Sequence, residues 1–220
     1  MDNLSPEMLL LGFIYYMVFL FSTTCHEASH ALVAKIGGDP TAAHGGQVSL
    51  NPIPHIVRSP FGMVLVPLLS FFTFGGMIGW ASAPYDPLWE RRHPHRAGWM
   101  ALAGPAANFT LMILAVIGLR LGSYLQLFRF HPAYGATGPF GTTLWVFFSL
   151  NLLLGTFNLL PVPPLDGSSG VLVLMSEGTA QKYLDFIRGN SYALAGILLG
   201  LYLFQKVFPY LEAVAVRLFF

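Results

Sequence analysis

A chain of 220 residues that is 55% hydrophobic and 10% charged, with a mean hydropathy of +0.62, exceeds the usual apolar share of a soluble domain and has less than half its usual charge. Lys and Arg number 11 against 10 Asp and Glu, so a net charge of +1 argues against a nucleic-acid partner, and the single cysteine, Cys25, excludes an internal disulfide. The composition is that of an integral membrane protein whose surroundings are the lipid bilayer, and its basic residues serve chiefly to read sidedness.

The first predicted element, residues 8–36, is a helix about 44 Å long, set against a hydrocarbon core of about 30 Å, so it must tilt or protrude. Residues 1–7 carry no Lys or Arg, unlike the positive start of a signal peptide, and the helix is expected to be retained. Within it lies a polar run, Thr23-Thr24-Cys25-His26-Glu27-Ala28-Ser29-His30. Helical pitch brings His26 and His30 to one face about 6 Å apart along the axis, near enough to grip one metal ion. Glu27 is swung to the flank of the pair, where it can take a proton from a metal-bound water without being a ligand. This is the zinc-binding H-E-x-x-H arrangement. An ionisable residue in a span costs about 2.5 to 3.5 kcal/mol, so three together point to function over chance.

Gly37, Gly38, Asp39 and Pro40 stop this helix. Residues 45–55 read as loop with a short strand, Gln47-Val48-Ser49-Leu50, closed by Asn51-Pro52-Ile53-Pro54. Residues 61–80 are apolar enough to enter the bilayer but are interrupted by Pro67 and by Gly75-Gly76, and a basic stretch follows. Residues 97–121 form a second span containing Ala103-Gly104-Pro105-Ala106-Ala107-Asn108, where small residues permit close helix contact and a buried Asn108 needs a partner. Residues 122–140 read as loop, and residues 142–160 as a third span running into Pro161-Val162-Pro163-Pro164-Leu165-Asp166-Gly167. After a mixed stretch, residues 191–208 are the last clear span, separated by Pro209 from an apolar tail. With no internal repeat, residues 1–220 read as one membrane domain, its core over residues 8–170 and an accessory C-terminal helix over residues 191–220.

Two histidines need at least one further ligand. The choice lies among His44, His55, His93, His95, His131, Asp39, Asp86, Asp166 and the remaining glutamates. Asp166 stands apart because it follows a proline-rich break at a span end, where irregular backbone requires surrounding protein or a watery cavity. Gly167 lets the chain pass close by.

His26-Glu27-Ala28-Ser29-His30 together with Asn158-Leu159-Leu160-Pro161-Val162-Pro163-Pro164-Leu165-Asp166-Gly167 resembles the intramembrane site-2 metalloproteases, whose pattern is H-E-x-x-H plus a distant N-x-x-P-x-x-x-x-D-G. Gly104-Pro105-Ala106-Ala107-Asn108 is similar to that family's middle core helix, and the likeness covers roughly residues 20–170. The resemblance implies one Zn2+ held by His26, His30 and Asp166, with Glu27 as base and with Asn158, Asn108 and His55 shaping the cleft or meeting substrate. It also implies a substrate that is itself a membrane protein. Ser29 stands where the family commonly has glycine.

The reading that follows is an all-α polytopic membrane protein of about four spanning helices, one re-entrant apolar segment and a short β element after the first helix. Residues 61–80 are expected to dip and return, because the site requires the ends of the first and third spans at one depth. Those spans are then parallel, and residues 97–121 supply the single crossing between them. A dip puts Lys35, Arg58, Arg91, Arg92, Arg96, Lys182 and Arg188 on one side against Arg120, Arg129, Lys206 and Arg217, which places the site in the cell membrane nearer the cytoplasmic face. The expected chemistry is hydrolysis of a peptide bond by a zinc-bound water that Glu27 activates. The alternatives are a non-proteolytic metal transporter or sensor and an inactive scaffold.

Overall fold

In the computed structural model, which describes residues 5–132, 135–189 and 193–220, the first helix is α1 (Pro6–Ile36). Its start is set by Ser5, whose hydroxyl accepts the Met8 N–H at 3.2 Å, and by Pro6 in the first turn, where a missing N–H leaves no gap. Its end is fixed from outside, since Trp89 Nε1 and Arg96 Nη1 both donate to Gly37 O, at 3.0 and 3.1 Å. The segment that opens the next long helix therefore sits at the foot of α1.

Two short helices follow, α2 (Thr41–His44) and α3 (Pro52–Arg58), and then a π-helical turn (Phe61–Leu65) that runs into α4 (Val66–Phe74). Gly75 adopts a left-handed φ of +73° and turns the chain back. Ile78 N–H donates to Ser70 Oγ at 2.9 Å and Trp80 N–H to Gly62 O at 3.0 Å, so the return runs beside the helix it left. A side chain on Gly62 would strike the Trp80 carbonyl and ring, so only glycine permits this approach. Asp86 N–H then reaches Asp39 Oδ2 at 2.8 Å, back at the foot of α1. Residues 61–80 thus leave and return at one end of the bundle, as the parity of the spans requires.

The chain continues through α5 (Pro87–Arg92) into α6 (Pro94–Tyr124), then a small antiparallel pair, β1 (Phe130–His131) and β2 (Gly135–Ala136), and α7 (Gly138–Asn158). The five-residue α8 (Asp166–Gly170) passes into a 3-10 turn (Val171–Leu174), followed by α9 (Glu177–Gly189) and α10 (Ala193–Phe219). Helix α6 lies between α1 and α7 and packs most extensively against both. Its first turns meet the 3-10 turn and α8, with Gly98 against Val173 and Leu102 against Gly170. At its far end Arg120 Nε donates to Phe219 O at 2.7 Å. The ends of α1 and α7 therefore lie at one level.

Among the described residues four helices are long and apolar enough to cross a membrane: Pro6–Ile36, Pro94–Tyr124, Gly138–Asn158 and Ala195–Phe219. The chain is an all-α polytopic membrane protein. Its interior is a set of interhelical clusters, Val18, Phe19, Val146 and Leu150 between α1 and α7, and Met112, Leu119, Phe148 and Leu152 between α6 and α7. In lipid such clusters gain from close packing more than from leaving water, since the tails outside are equally apolar.

Two local expectations are corrected. The strand at residues 47–50 is absent, because its polar side chains are engaged otherwise: Gln47 Nε2 donates to Ser82 O at 2.9 Å, Ser49 Oγ takes the Asn51 N–H at 3.1 Å, and Asn51 caps α3 by accepting Ile53 N–H at 3.0 Å. The β element lies instead in the loop between α6 and α7. Pro209 does not end the last helix but sits inside α10, where it removes one hydrogen bond and the remaining ladder continues.

Candidate active site

Helix α1 presents His26 and His30 side by side, their Nε2 atoms 3.0 Å apart. His26 Nδ1 lies 2.6 Å from Asn108 Oδ1, and His30 Nδ1 lies 2.7 Å from Met100 O. Both of those oxygens only accept, so each Nδ1 carries the proton and each Nε2 is left with an open lone pair. Asp166, the first residue of α8, brings Oδ2 to 3.0 Å from His26 Nε2 and 3.4 Å from His30 Nε2. That oxygen is sealed from solvent and has no hydrogen-bond partner among the described residues.

Three acceptors facing one another without a proton between them repel, so the arrangement calls for a cation. Bonds of about 2.0 to 2.1 Å in a tetrahedron put ligand atoms about 3.3 Å apart, and the separations here bracket that value. Two imidazoles and one carboxylate are also a ligand set that leaves zinc one open position. The residues present fit the metal.

Several neighbours make the arrangement possible. Gly104 of α6 faces both rings, and a methyl group there would lie 2.5 Å from His26 Nε2 and closer still to His30 Nε2. Gly167 lets α8 tuck beneath the end of α7, since a Cβ would come within 2.6 Å of Leu160 O and nearer to Leu159 O. Glu27 is 7% exposed and makes no hydrogen bond among the described residues, so its carboxylate is free to act.

Of the residues expected to shape the cleft, Asn108 is fully buried and touches His26 directly. Asn158 is half-buried at the end of α7, donates Nδ2 to Leu154 O at 3.0 Å, and has no partner for Oδ1 among the described residues. His55 is 0% exposed, with Nε2 3.0 Å from Ser49 O and Nδ1 3.5 Å from Gln47 Nε2. His55 joins α3 to the loop before it, and Gln47 of that loop carries the connection to the returning segment through Ser82 O.

Two groups of residues escape the sequence reading. Asn151 of α7 is fully buried and accepts Asn108 Nδ2 at 2.9 Å. Its signal was an amide in an otherwise apolar span, which must find a partner, and Asn108 was the one available. Glu90, 2% exposed, pairs with Arg188 at 2.7 and 3.2 Å, and Arg188 Nη2 also reaches Ser169 Oγ at 3.2 Å, three residues beyond Asp166. The Arg188 guanidinium lies 5.7 Å from the Tyr85 ring, and burial together with the Glu90 charge pushes the Tyr85 phenol up to about 12. This cluster pins α8 to α5 and α9 from below, and no spacing in the sequence announces it.

Residues 120–203 match the profile of Peptidase family M50. "Putative zinc metalloprotease YwhC" of Bacillus subtilis is 38% identical over 182 residues, covering 78% of this chain and 74% of that protein. "Putative zinc metalloprotease Rip2" of Mycobacterium tuberculosis is 31% identical over 149 residues, 68% of this chain and 52% of that protein, so the chain spans about half of Rip2. No solved structure matches. An identity of 38% across three quarters of a relative settles kinship, and the chain belongs to peptidase family M50, the site-2 protease family.

Proposed function

We propose that this zinc-dependent peptidase is an intramembrane endopeptidase, cutting a peptide bond in or beside a transmembrane segment of a membrane protein, at a site inside the bilayer nearer the cytoplasmic face. The observation that carries the reading is the convergence of three unprotonated acceptors, His26 Nε2, His30 Nε2 and Asp166 Oδ2, beside a buried carboxylate, Glu27, with no partner. When bound, zinc supplies a Lewis acid that polarises a carbonyl and makes a water acidic. His26, His30 and Asp166 would hold it.

Glu27 takes the proton of the water that attacks the scissile carbonyl carbon, and it returns that proton to the amide nitrogen as the carbon–nitrogen bond breaks. Asn108 and the Met100 carbonyl hold the two imidazoles in the tautomer this requires. The free Oδ1 of Asn158, at the end of the span that leads to Asp166, is placed to accept a hydrogen bond from substrate backbone. A substrate helix hides its own backbone groups in hydrogen bonds and must unwind before it reaches these residues. The stretch of α1 from His26 to Ile36 puts the ligands about 15 Å from the helix end, and the seven basic residues on that side support the cytoplasmic assignment.

A metal transporter or sensor would spread polar groups along a path through several helices, whereas here the ligand atoms of His26, His30 and Asp166 converge within 4.8 Å of one another. The test is hydrolysis of a labelled membrane peptide by purified protein, with Glu27→Gln as the variant. Glu27→Gln is expected to keep its zinc and to lose about 100- to 10,000-fold in turnover. Near-normal turnover in that variant sinks the mechanism.

A further inference from the structure

The hydrogen bond that orients His26 is the last link of a directional chain. Asn151 Nδ2 lies 2.9 Å from Phe147 O and 2.9 Å from Ser22 Oγ. A backbone carbonyl never donates, so the side of the Asn151 amide facing Phe147 must be its NH2. Its Oδ1 therefore faces Asn108, and it accepts Asn108 Nδ2 at 2.9 Å. That contact in turn leaves Asn108 Oδ1 facing His26 Nδ1 at 2.6 Å, so Nδ1 must bear the proton. Ser22 precedes His26 by one helical turn, and the circuit closes on α1 after visiting α7 and α6. Ser22, Asn108 and Asn151 are all 0% exposed, so no water competes for any of these groups.

We propose that Asn151 is a positioning residue that sets, through Asn108, the tautomer and ring angle of His26, with the Phe147 carbonyl as the fixed reference. The inference rests on the zinc reading of the site, but the tautomer it concerns exists without metal. Neither amide alone suffices: an isolated Asn108 could turn over and present NH2 to Nδ1, which would then become the acceptor and put the proton on Nε2, the atom meant for the metal. Asn151 removes that option by offering Asn108 only an oxygen. His30 needs no such device, because a backbone carbonyl already faces its Nδ1.

The experiment uses the full chain in detergent micelles with 15N-labelled histidine. In the metal-free wild type, followed through a pH series into the range where both imidazoles are neutral, His26 and His30 are both expected to show the Nδ1–H tautomer. Asn151→Leu is expected to mix the tautomers of His26 while His30 stays unchanged, and to weaken zinc binding, read by chelator competition, by about 10- to 100-fold. The double variant Asn108→Leu, Asn151→Leu leaves no buried amide unpaired, so it serves if the single variant folds poorly, and it is expected to free His26 in the same way. A His26 spectrum and zinc affinity like those of the wild type in either variant would overturn the proposal, as would equal disturbance of His26 and His30. A wild type that takes up no zinc would overturn the metal reading instead, while the metal-free spectra would still decide the role of Asn151.

Discussion

Gly104→Ala inserts one methyl group where the structure has no room for it. The new carbon would sit 2.5 Å from His26 Nε2 and closer still to His30 Nε2. Optimal contacts between such atoms are about 3.5 Å, so each ring must retreat by about 1 Å. Metal–ligand distances tolerate only about 0.2 Å, so both histidine ligands leave bonding range together. We expect zinc affinity to fall by more than about 100-fold, the upper end of what disturbing an outer partner of a metal ligand costs, with peptidase activity lost alongside it. The metal-free protein should behave differently. Alanine is favoured over glycine inside a helix by about 0.5 to 1 kcal/mol, and the imidazoles can turn aside once no ion holds them. Its melting temperature should therefore stay level or rise slightly. Zinc content after dialysis against graded chelator, measured beside thermal melts of the metal-free forms, reads both effects. Stoichiometric zinc at wild-type chelator resistance would refute the steric argument, and a large loss of metal-free stability would show that Gly104 serves packing rather than the ligand pair.

Arg188→Leu strands the Glu90 carboxylate in a nearly solvent-free position and is expected to destabilise the protein by about 1 to 3 kcal/mol, read from thermal melts, whereas Glu90→Gln combined with Arg188→Leu should recover most of that loss. If the single and double variants melt alike, the pair is not what holds α8. For topology, single cysteines replacing Arg58 and Arg91 in a Cys25→Ser background should be labelled from the same face of the membrane. Labelling from opposite faces would mean that residues 61–80 cross it.

The candidate ligand pair and base stood out in residues 23–30 alone, because helical pitch converts a spacing of four into a shared face and an apolar helix gives charged groups no other reason to be there. Asp166 could not be singled out in the same way. Its proximity depends on α6 holding α1 and α7 parallel and on Gly167 clearing the end of α7, which are tertiary facts. The return of residues 61–80 to the foot of α1 agrees with the dip expected from parity, since a shared depth for two span ends admits few topologies. The strand expected at residues 47–50 failed because alternation of polar and apolar residues signals a strand only when its backbone needs partners. Here Ser49, Asn51 and Gln47 supplied side-chain bonds first. Pro209 misled for a related reason, as a proline halts an exposed helix in water more readily than one whose neighbours are lipid.

What the sequence could not separate is scaffold from chemistry among the buried polar groups, and the structure does so by partnership. An unpartnered polar group in the apolar interior is costly, so those that persist without partners are retained for a reason other than stability. Ser22, Asn108 and Asn151 are satisfied by one another, and each histidine has one nitrogen committed to an acceptor. Asp166 Oδ2 is the exception among solvent-sealed atoms, together with the two Nε2 atoms that face it, and the 7% exposed Glu27 makes no hydrogen bond among the described residues. These groups lie close together on two elements, and they match what the proposed hydrolytic metal site requires: three donors for the ion and one base beside it. Ser22, Asn108 and Asn151 connect to His26, so substitutions among them should alter metal affinity before they alter the fold.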